Sequence, residues 1–283
     1  MESINCDLCG SFENPDILTY QTYFLHLLET QYKVCRCRTC KLVYMNPRPS
    51  REELNKVYNI DYLDKNFYDM ESLNKRRMRE VYQKKIQTLK KIKSSGKILD
   101  IGAGIGGFIY LAKKAGYDVE GLEVSSSEVA LAKKKYGIDL KHGILSQKDY
   151  CPGTFDIIHM HHVLEHVFNP TETLMIIFNL LKIGGYFYFE IPNDFHSSVF
   201  YYNRLKKILG KDSSFSKPSI HHLYFFDYNT ILKYINKIKF KIIFIEGKFH
   251  EVNFKYRFTK KLIQTLTFPK KFAPAFEILC QKR

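Results

Sequence analysis

The 283-residue chain contains no tryptophan, is short of acidic side chains and has no uninterrupted apolar run long enough to cross a bilayer. Its longest apolar stretch, Leu174 to Ile191, is broken by Asn179, Lys182, Gly184, Gly185 and Glu190. It therefore reads as a helix, a turn and a strand rather than the ~20 consecutive apolar residues of a membrane helix. The opening Met-Glu-Ser-Ile-Asn-Cys lacks a basic region followed by an apolar one. We therefore expect no signal peptide and a reducing, cytoplasmic location in which disulfides are rare. The shortage of acid, 29 Asp+Glu against 44 Lys+Arg, leaves a net charge of +15. That surplus is compatible with an anionic partner such as nucleic acid, a phosphorylated metabolite or a membrane surface. It is equally the outcome of a composition rich in Lys, Ile, Phe, Tyr and Asn. With 45% hydrophobic and 26% charged residues, disorder and fibrous folds are excluded. The length allows one large domain or a main domain with a small annex.

Cysteine is scarce except at the start: five of the seven lie within the first forty residues. Cys6-x-x-Cys9 and Cys37-x-x-Cys40 form two knuckles, each able to present two thiolates from one tight turn. Together they offer a tetrahedral four-sulfur set for Zn2+, which fills the metal's coordination and makes it structural rather than catalytic. Cys35 stands beside this set, but its spacing to Cys37 does not form a standard knuckle. A thioredoxin-like redox reading lacks the strand-then-helix context it requires. Tyr20, Tyr23, Phe24, Leu25 and Tyr32 suit short ribbon strands, so residues 1–48 are expected to be a zinc-ribbon module. Residues 49–95 are expected to be a helical linker or lid. Within it Ser50 and Glu53 have the spacing of a capping box. A second helix, from about Asp69 to Lys93, carries Met78, Val81, Tyr82, Ile86 and Leu89 as its core stripe and Lys and Arg on its exposed face.

From Lys97 the pattern changes. Lys97-Ile-Leu-Asp-Ile-Gly-Ala-Gly-Ile-Gly-Gly107 is a buried strand, a glycine turn and the start of a helix, and Asp118 to Val124 is a second strand with Glu123 at its end. This is a βαβ half of an α/β, doubly wound, Rossmann-like sheet. Gly102, Gly104 and Gly107 also satisfy the dinucleotide fingerprint, so glycine spacing alone does not choose the ligand. Asp100 does help to choose, because a carboxylate just before the turn repels a pyrophosphate and suits an ammonium or sulfonium group.

The segment from about Lys97 onward resembles the class I S-adenosylmethionine (SAM) dependent methyltransferases. Leu99-Asp-Ile-Gly-Ala-Gly-Ile-Gly106 is similar to that family's first motif. Phe155-Asp-Ile-Ile-His-Met-His-His-Val-Leu-Glu-His-Val167 is similar to its fourth-strand motif, and Leu181-Lys-Ile-Gly-Gly-Tyr-Phe-Tyr-Phe-Glu-Ile-Pro192 to the turn and strand that follow. The N-terminal knuckles and His221-His-Leu-Tyr-Phe-Phe226 resemble a subgroup that includes sugar C-methyltransferases and tailoring enzymes of antibiotic or surface-glycan pathways. The ubiquinone-pathway O-methyltransferases resemble the core only. The resemblance implies a methyltransferase domain over residues 96–283, with SAM as cofactor. Asp100, Gly102, Gly104 and Gly106 would line its methionine end and Glu123 would hold its ribose. The loop containing Ile144 would lie beside the adenine, without the acidic residue common there, and His161 and His162 near the sulfonium.

Methyl transfer needs a base only where the acceptor loses a proton, and histidine suits that task near neutral pH. His222 is the preferred base and His162 the second candidate. His159, inside a strand, reads as a satisfied sheet-face residue, and Glu165 with His166 as a structural pair at the start of the next helix. Where sugar C-methyltransferases carry Tyr-x-Glu-His, this chain has Ser219, His221 and His222, which leaves O-, N- and C-methylation open. Residues 194–222 form an acceptor-site insertion in which Arg204, Lys206, Lys207, Lys211 and Lys217 suit an anionic acceptor. From Asn253 to Lys271, Phe254, Tyr256, Phe258 and Phe268 interleave with cations, a composition compatible with a membrane surface or RNA and equally with an edge hairpin. The expected function is methylation of a small or carbohydrate-linked, anionic acceptor. An RNA methyltransferase and a non-catalytic SAM-binding module are the alternatives.

Overall fold

The structure, a computed structural model, describes residues 1–22, 31–54, 71–210, 222–248 and 270–283. Along the chain run β1 (Asp16–Thr22), β2 (Gln31–Arg36), β3 (Val43–Met45), α1 (Glu71–Ile92), β4 (Lys97–Ile101), α2 (Gly107–Lys114), β5 (Asp118–Glu123), α3 (Ser126–Tyr136) and β6 (Lys141–His142). They are followed by β7 (Phe155–His161), α4 (Pro170–Leu180), β8 (Leu181–Pro192), α5 (Ser198–Ile208), β9 (Tyr224–Phe225), α6 (Tyr228–Ile238), β10 (Lys241–Lys248) and β11 (Ala275–Gln281). Two compact units share these elements. One comprises Met1–Pro49, Leu164–Thr171 and Phe189–Cys280, the other Ser50–Val163, Glu172–Tyr188 and Gln281–Arg283. Neither is a single stretch of chain.

In the second unit β4 lies parallel to both β5 and β7, with Leu99 opposite Glu120 and Ile158, and β5 lies parallel to β6. The strand order there is β8–β7–β4–β5–β6. Parallel strands covered on both faces need near-continuous apolar runs, and β4 and β7 are buried along almost their whole length. Gly121 shows how close the covering layer is, because a Cβ there would collide with Ile109 and Leu140. Helix α3 starts where the Ser125 hydroxyl accepts the Glu128 N–H and stops at Gly137, whose φ of +65° only glycine adopts freely. The expected capping box is present: the Ser50 N–H donates to Glu53 Oε2 and the Glu53 N–H to Ser50 Oγ. The expected core stripe is also present, with Ile86 and Leu89 buried. The turn expected between α4 and β8 is instead a kink inside the strand at Gly184, φ +76°.

In the first unit β1, β2 and β3 form an antiparallel ribbon, and β3 pairs with β9, Val43 opposite Phe225 and Tyr44 opposite Tyr224. Val34, Val43, Phe195 and Phe225 pack as one apolar cluster. Helix α6 begins in a reciprocal Asp227–Thr230 box and holds the cysteine segment by polar contacts. Lys237 donates to the Asp7 and Leu8 carbonyls, Lys233 to the Cys40 carbonyl and the Tyr234 hydroxyl to the Asp7 carboxylate. Residues Phe189–Pro192 of β8 complete the order β10–β11–β8 in this unit. No described helix is long and apolar enough to cross a membrane.

Candidate functional site

The glycine turn after β4 is fixed by the neighbouring strand, because the N–H groups of Gly102 and Ala103 both donate to the Leu122 carbonyl. Gly102, Gly104 and Gly106 have φ of +70°, +54° and +78°, a left-handed conformation that costs other residues about 1–2 kcal/mol. At Gly102 a Cβ would also run into Val163, whereas at Gly104 it would meet only Glu128 Oε2 at 3.7 Å. Glu123, buried at the end of β5, accepts the Gly104 N–H on one carboxylate oxygen at 2.8 Å and the Ser125 N–H on the other at 2.9 Å. Burial pushes its carboxyl above the usual range, Glu128 adds to the rise, and the backbone donors pull it back. Each oxygen keeps lone-pair capacity for a further donor. A vicinal diol such as a ribose matches this donor demand.

Asp100 is buried and its Oδ1 accepts from His159 Nδ1 at 2.7 Å. His159 is a buried sheet residue, with its ring stacked on Phe108 at 3.8 Å between centroids. At the end of β7, His161 and His162 meet edge to face at 4.6 Å. His162 has φ +54°, an uncommon strain for a residue with a Cβ. Ile144 lies in the loop after β6 with 60% of its surface exposed.

One residue of this region escaped the sequence reading. Lys85 on α1 is 2% exposed, its Nζ 3.2 Å from His161 Nδ1 and 5.3 Å above the Tyr188 ring. The lysines of this helix were assigned to its solvent face. The signal was present all the same, since Lys85 falls one turn after Tyr82 and one turn before Leu89, on the apolar stripe.

The first unit carries a second cluster. His222 is buried, with Nδ1 2.7 Å from Asp194 Oδ2. Asn193 anchors this part of the chain by donating its side-chain amide to the Lys271 and Ala273 carbonyls. Glu165 and His166 lie in the turn that precedes α4, rather than at the start of the helix as expected. The Glu165 carbonyl accepts the N–H groups of Leu223 and Tyr224, which brings His222 to this turn. Glu165 Oε1 is then 3.9 Å from Nε2 of both His166 and His222. On α5, Arg204 is exposed. The side chains of Lys206 and Lys207, together with Lys211, Lys217, Ser219 and His221, lie outside the described residues. So do Tyr23, Phe24 and Leu25, and most of the aromatic and cationic tail, Phe254 to Phe268.

Cys6, Cys9, Cys37 and Cys40 converge, with all four sulfurs within 4.8 Å of one another. Cys6 and Cys40 are 3.4 Å apart, Cys9 and Cys37 3.6 Å. A tetrahedron with Zn–S bonds of about 2.3 Å has edges of about 3.8 Å, so the quartet is the right size for zinc. Each knuckle closes through a backbone bond, Gly10 N–H to the Cys6 carbonyl and Lys41 N–H to the Cys37 carbonyl. The residue after each, Gly10 or Lys41, is left-handed. The mutual Cys6–Cys40 hydrogen bond pulls Cys40 down to about 5 and pushes Cys6 up. Cys35 points elsewhere, towards the Asn46 carbonyl.

A family model described as Methyltransferase domain matches residues 74–243. Among curated proteins, the ubiquinone biosynthesis O-methyltransferase of Thiobacillus denitrificans is 29% identical over 103 residues, 34% of this chain and 44% of that protein. Phosphoethanolamine N-methyltransferase 3 of Arabidopsis thaliana is 28% identical over 100 residues, 33% of this chain and 20% of that protein. The chain thus spans less than half the length of these relatives. Two solved structures share the fold, each with a TM-score of 0.50. A SAM-dependent methyltransferase from Mesorhizobium loti, at 14% identity, matches 69% of this chain and 95% of its own. Another from Archaeoglobus fulgidus, at 19%, matches 72% and 94%.

Proposed function

Because the chain belongs to the Methyltransferase domain family, which its residues 74–243 match, we propose that it transfers the methyl group of SAM to a small or carbohydrate-linked anionic acceptor. The observation that carries this reading is the Glu123 carboxylate, held by the Gly104 and Ser125 N–H groups at the mouth of a left-handed glycine turn. SAM supplies a methyl carbon already activated by its sulfonium. The protein's own work is to bind, orient and exclude water. Asp100, Gly102, Gly104 and Gly106 line the methionine end, Glu123 takes the ribose hydroxyls, Ile144 flanks the adenine and His161 sits by the sulfonium.

The acceptor side is assigned to His222, with His162 as second candidate. Asp194 takes the Nδ1 proton of His222 as a hydrogen bond, which leaves the Nε2 lone pair to receive positive charge as an acceptor hydroxyl sheds its proton. The exposed Arg204 on α5 supports an anionic acceptor. The names of the curated relatives, which methylate in ubiquinone biosynthesis or on phosphoethanolamine, support a small molecule. The cysteine quartet is assigned to one structural zinc.

The test is labelled-methyl transfer from SAM into fractionated metabolites, glycans and RNA, with mass spectrometry of the product. Label in a small or glycan-linked anionic product is the expected result. Label confined to RNA overturns the acceptor class, and calorimetry that shows NADH binding without SAM binding overturns the whole reading.

A further inference from the structure

We propose that Glu165, His166 and His222 form a second metal site, for a divalent cation, chemically distinct from the cysteine quartet. The three residues each place one ligand atom within 4.8 Å of the others. The chain builds this juxtaposition deliberately, since the Glu165 carbonyl receives two backbone donors from the segment that carries His222. Its geometry is wrong for hydrogen bonding and right for coordination. At 3.9 Å neither imidazole nitrogen bonds directly to the Glu165 carboxylate, because N–H···O bonds span about 2.7–3.2 Å. With two sides of 3.9 Å and a third of at most 4.8 Å, the equidistant point lies at most about 2.5 Å from each atom, close to the ~2.0–2.2 Å of zinc-to-nitrogen and zinc-to-oxygen bonds.

The protonation pattern agrees. Asp194 at 2.7 Å from Nδ1 of His222 suits a proton on that nitrogen, the tautomer in which Nε2 is the ligating atom. Glu165 is fully buried and His222 is 7% exposed, so a cation held here is shielded from bulk water. Carboxylate, histidine and metal in line is also how proteins orient a ligating imidazole. Two nitrogens and one oxygen are a borderline donor set suited to Zn2+, Mn2+, Co2+ or Fe2+, and three protein ligands leave positions open. The cysteine quartet leaves none.

For its role, though not for binding itself, the inference rests on the methyl-transfer reading. An open position would take the acceptor oxygen and lower its pKa. With a cation bound, Nε2 of His222 would be a ligand, and the base role would pass to the second candidate, His162.

Full-length protein with its quartet zinc in place should be titrated with MnCl2, a probe that avoids thiolates, by calorimetry and by electron paramagnetic resonance. One saturable Mn2+ per chain is expected. Glu165→Gln and His166→Gln should each lose it while they retain zinc and SAM binding, which shows that the fold survives. Asp194→Asn should weaken Mn2+ by about 10–100-fold, the range for a lost outer-shell partner. A wild-type protein that takes up no Mn2+, Co2+ or Zn2+ beyond the quartet overturns the site, as do variants that bind Mn2+ like wild type. Methyl transfer that proceeds without such binding leaves the proposed function standing and removes this inference. Mn2+ binding without methyl transfer does the reverse.

Discussion

Gly102 and Gly104 look equivalent in the sequence, yet alanine should cost far more at the first. Both have positive φ, so either substitution carries about 1–2 kcal/mol of backbone strain. At Gly104 the added methyl finds only the Glu128 carboxylate at van der Waals distance, and strain is the whole cost. At Gly102 the methyl overlaps Val163, and forcing a carbon into a packed site adds typically 1–3 kcal/mol. We therefore expect Gly102→Ala to destabilise by about 2–5 kcal/mol in all and Gly104→Ala by about 1–2. Urea unfolding followed by circular dichroism measures both, with tyrosine fluorescence as a second probe in a chain without tryptophan. The collision is isolated by adding Val163→Ala. The Gly102→Ala/Val163→Ala double variant should recover about 1–3 kcal/mol relative to the sum of the single changes, as coupled neighbours do, while the Gly104 cycle should be additive. Equal costs at the two glycines, or no coupling between positions 102 and 163, would refute the reasoning.

Three further outcomes are expected. Cys9→Ser should lower zinc, measured by elemental analysis, from about one atom per chain, the count one four-thiolate set requires, and should lower the thermal midpoint with it. SAM affinity measured by calorimetry should be flat near neutral pH and weaken on acidification as Glu123 is neutralised. Because burial raises this carboxyl above 4.5, the loss should set in at a higher pH than for an ordinary glutamate, and Glu123→Gln should abolish the dependence. The same rise means that, without ligand, the Glu123 contribution to stability is present below the carboxyl's ordinary pKa and is lost as pH climbs through the raised one. Lys85→Met should leave thermal stability unchanged or increase it, since exchanging a buried charge for an apolar side chain is often neutral or favourable, yet should reduce methyl transfer through loss of the His161 contact. A variant that unfolds, or one with full turnover, would deny Lys85 its place in the site.

What the sequence disclosed was mostly local. The β4–turn–α2–β5 unit is written in adjacent residues, as are the Ser50–Glu53 box, the α1 stripe and the two knuckles, and all of these appear where the spacing predicts. The quiet role of His159 was legible because a histidine flanked by apolar strand residues needs a buried partner, which Asp100 supplies. Features that depend on residues far apart in the chain were hidden. The apolar stripe marks the position of Lys85, but the burial of its ammonium depends on His161 of β7 and Tyr188 of β8, which no local spacing shows. The side-chain partnership of Asp194 with His222, and the backbone bonds that bring the His222 segment to the Glu165 turn across some sixty residues, lie beyond any periodicity. The pairing of β3 with β9 is of the same kind.

That last pairing has a consequence for the growing chain. The cysteine segment docks on β9 and on Tyr234 and Lys237 of α6, all of which are synthesised after the whole glycine-turn sheet region. At ~5–20 residues per second, a ribosome takes on the order of ten to forty seconds to travel from the knuckles to their docking helix. Through that interval four thiols wait without their lid. The cysteine segment is thus made before the elements it docks on, and the packing around its four thiols is complete only once α6 has emerged.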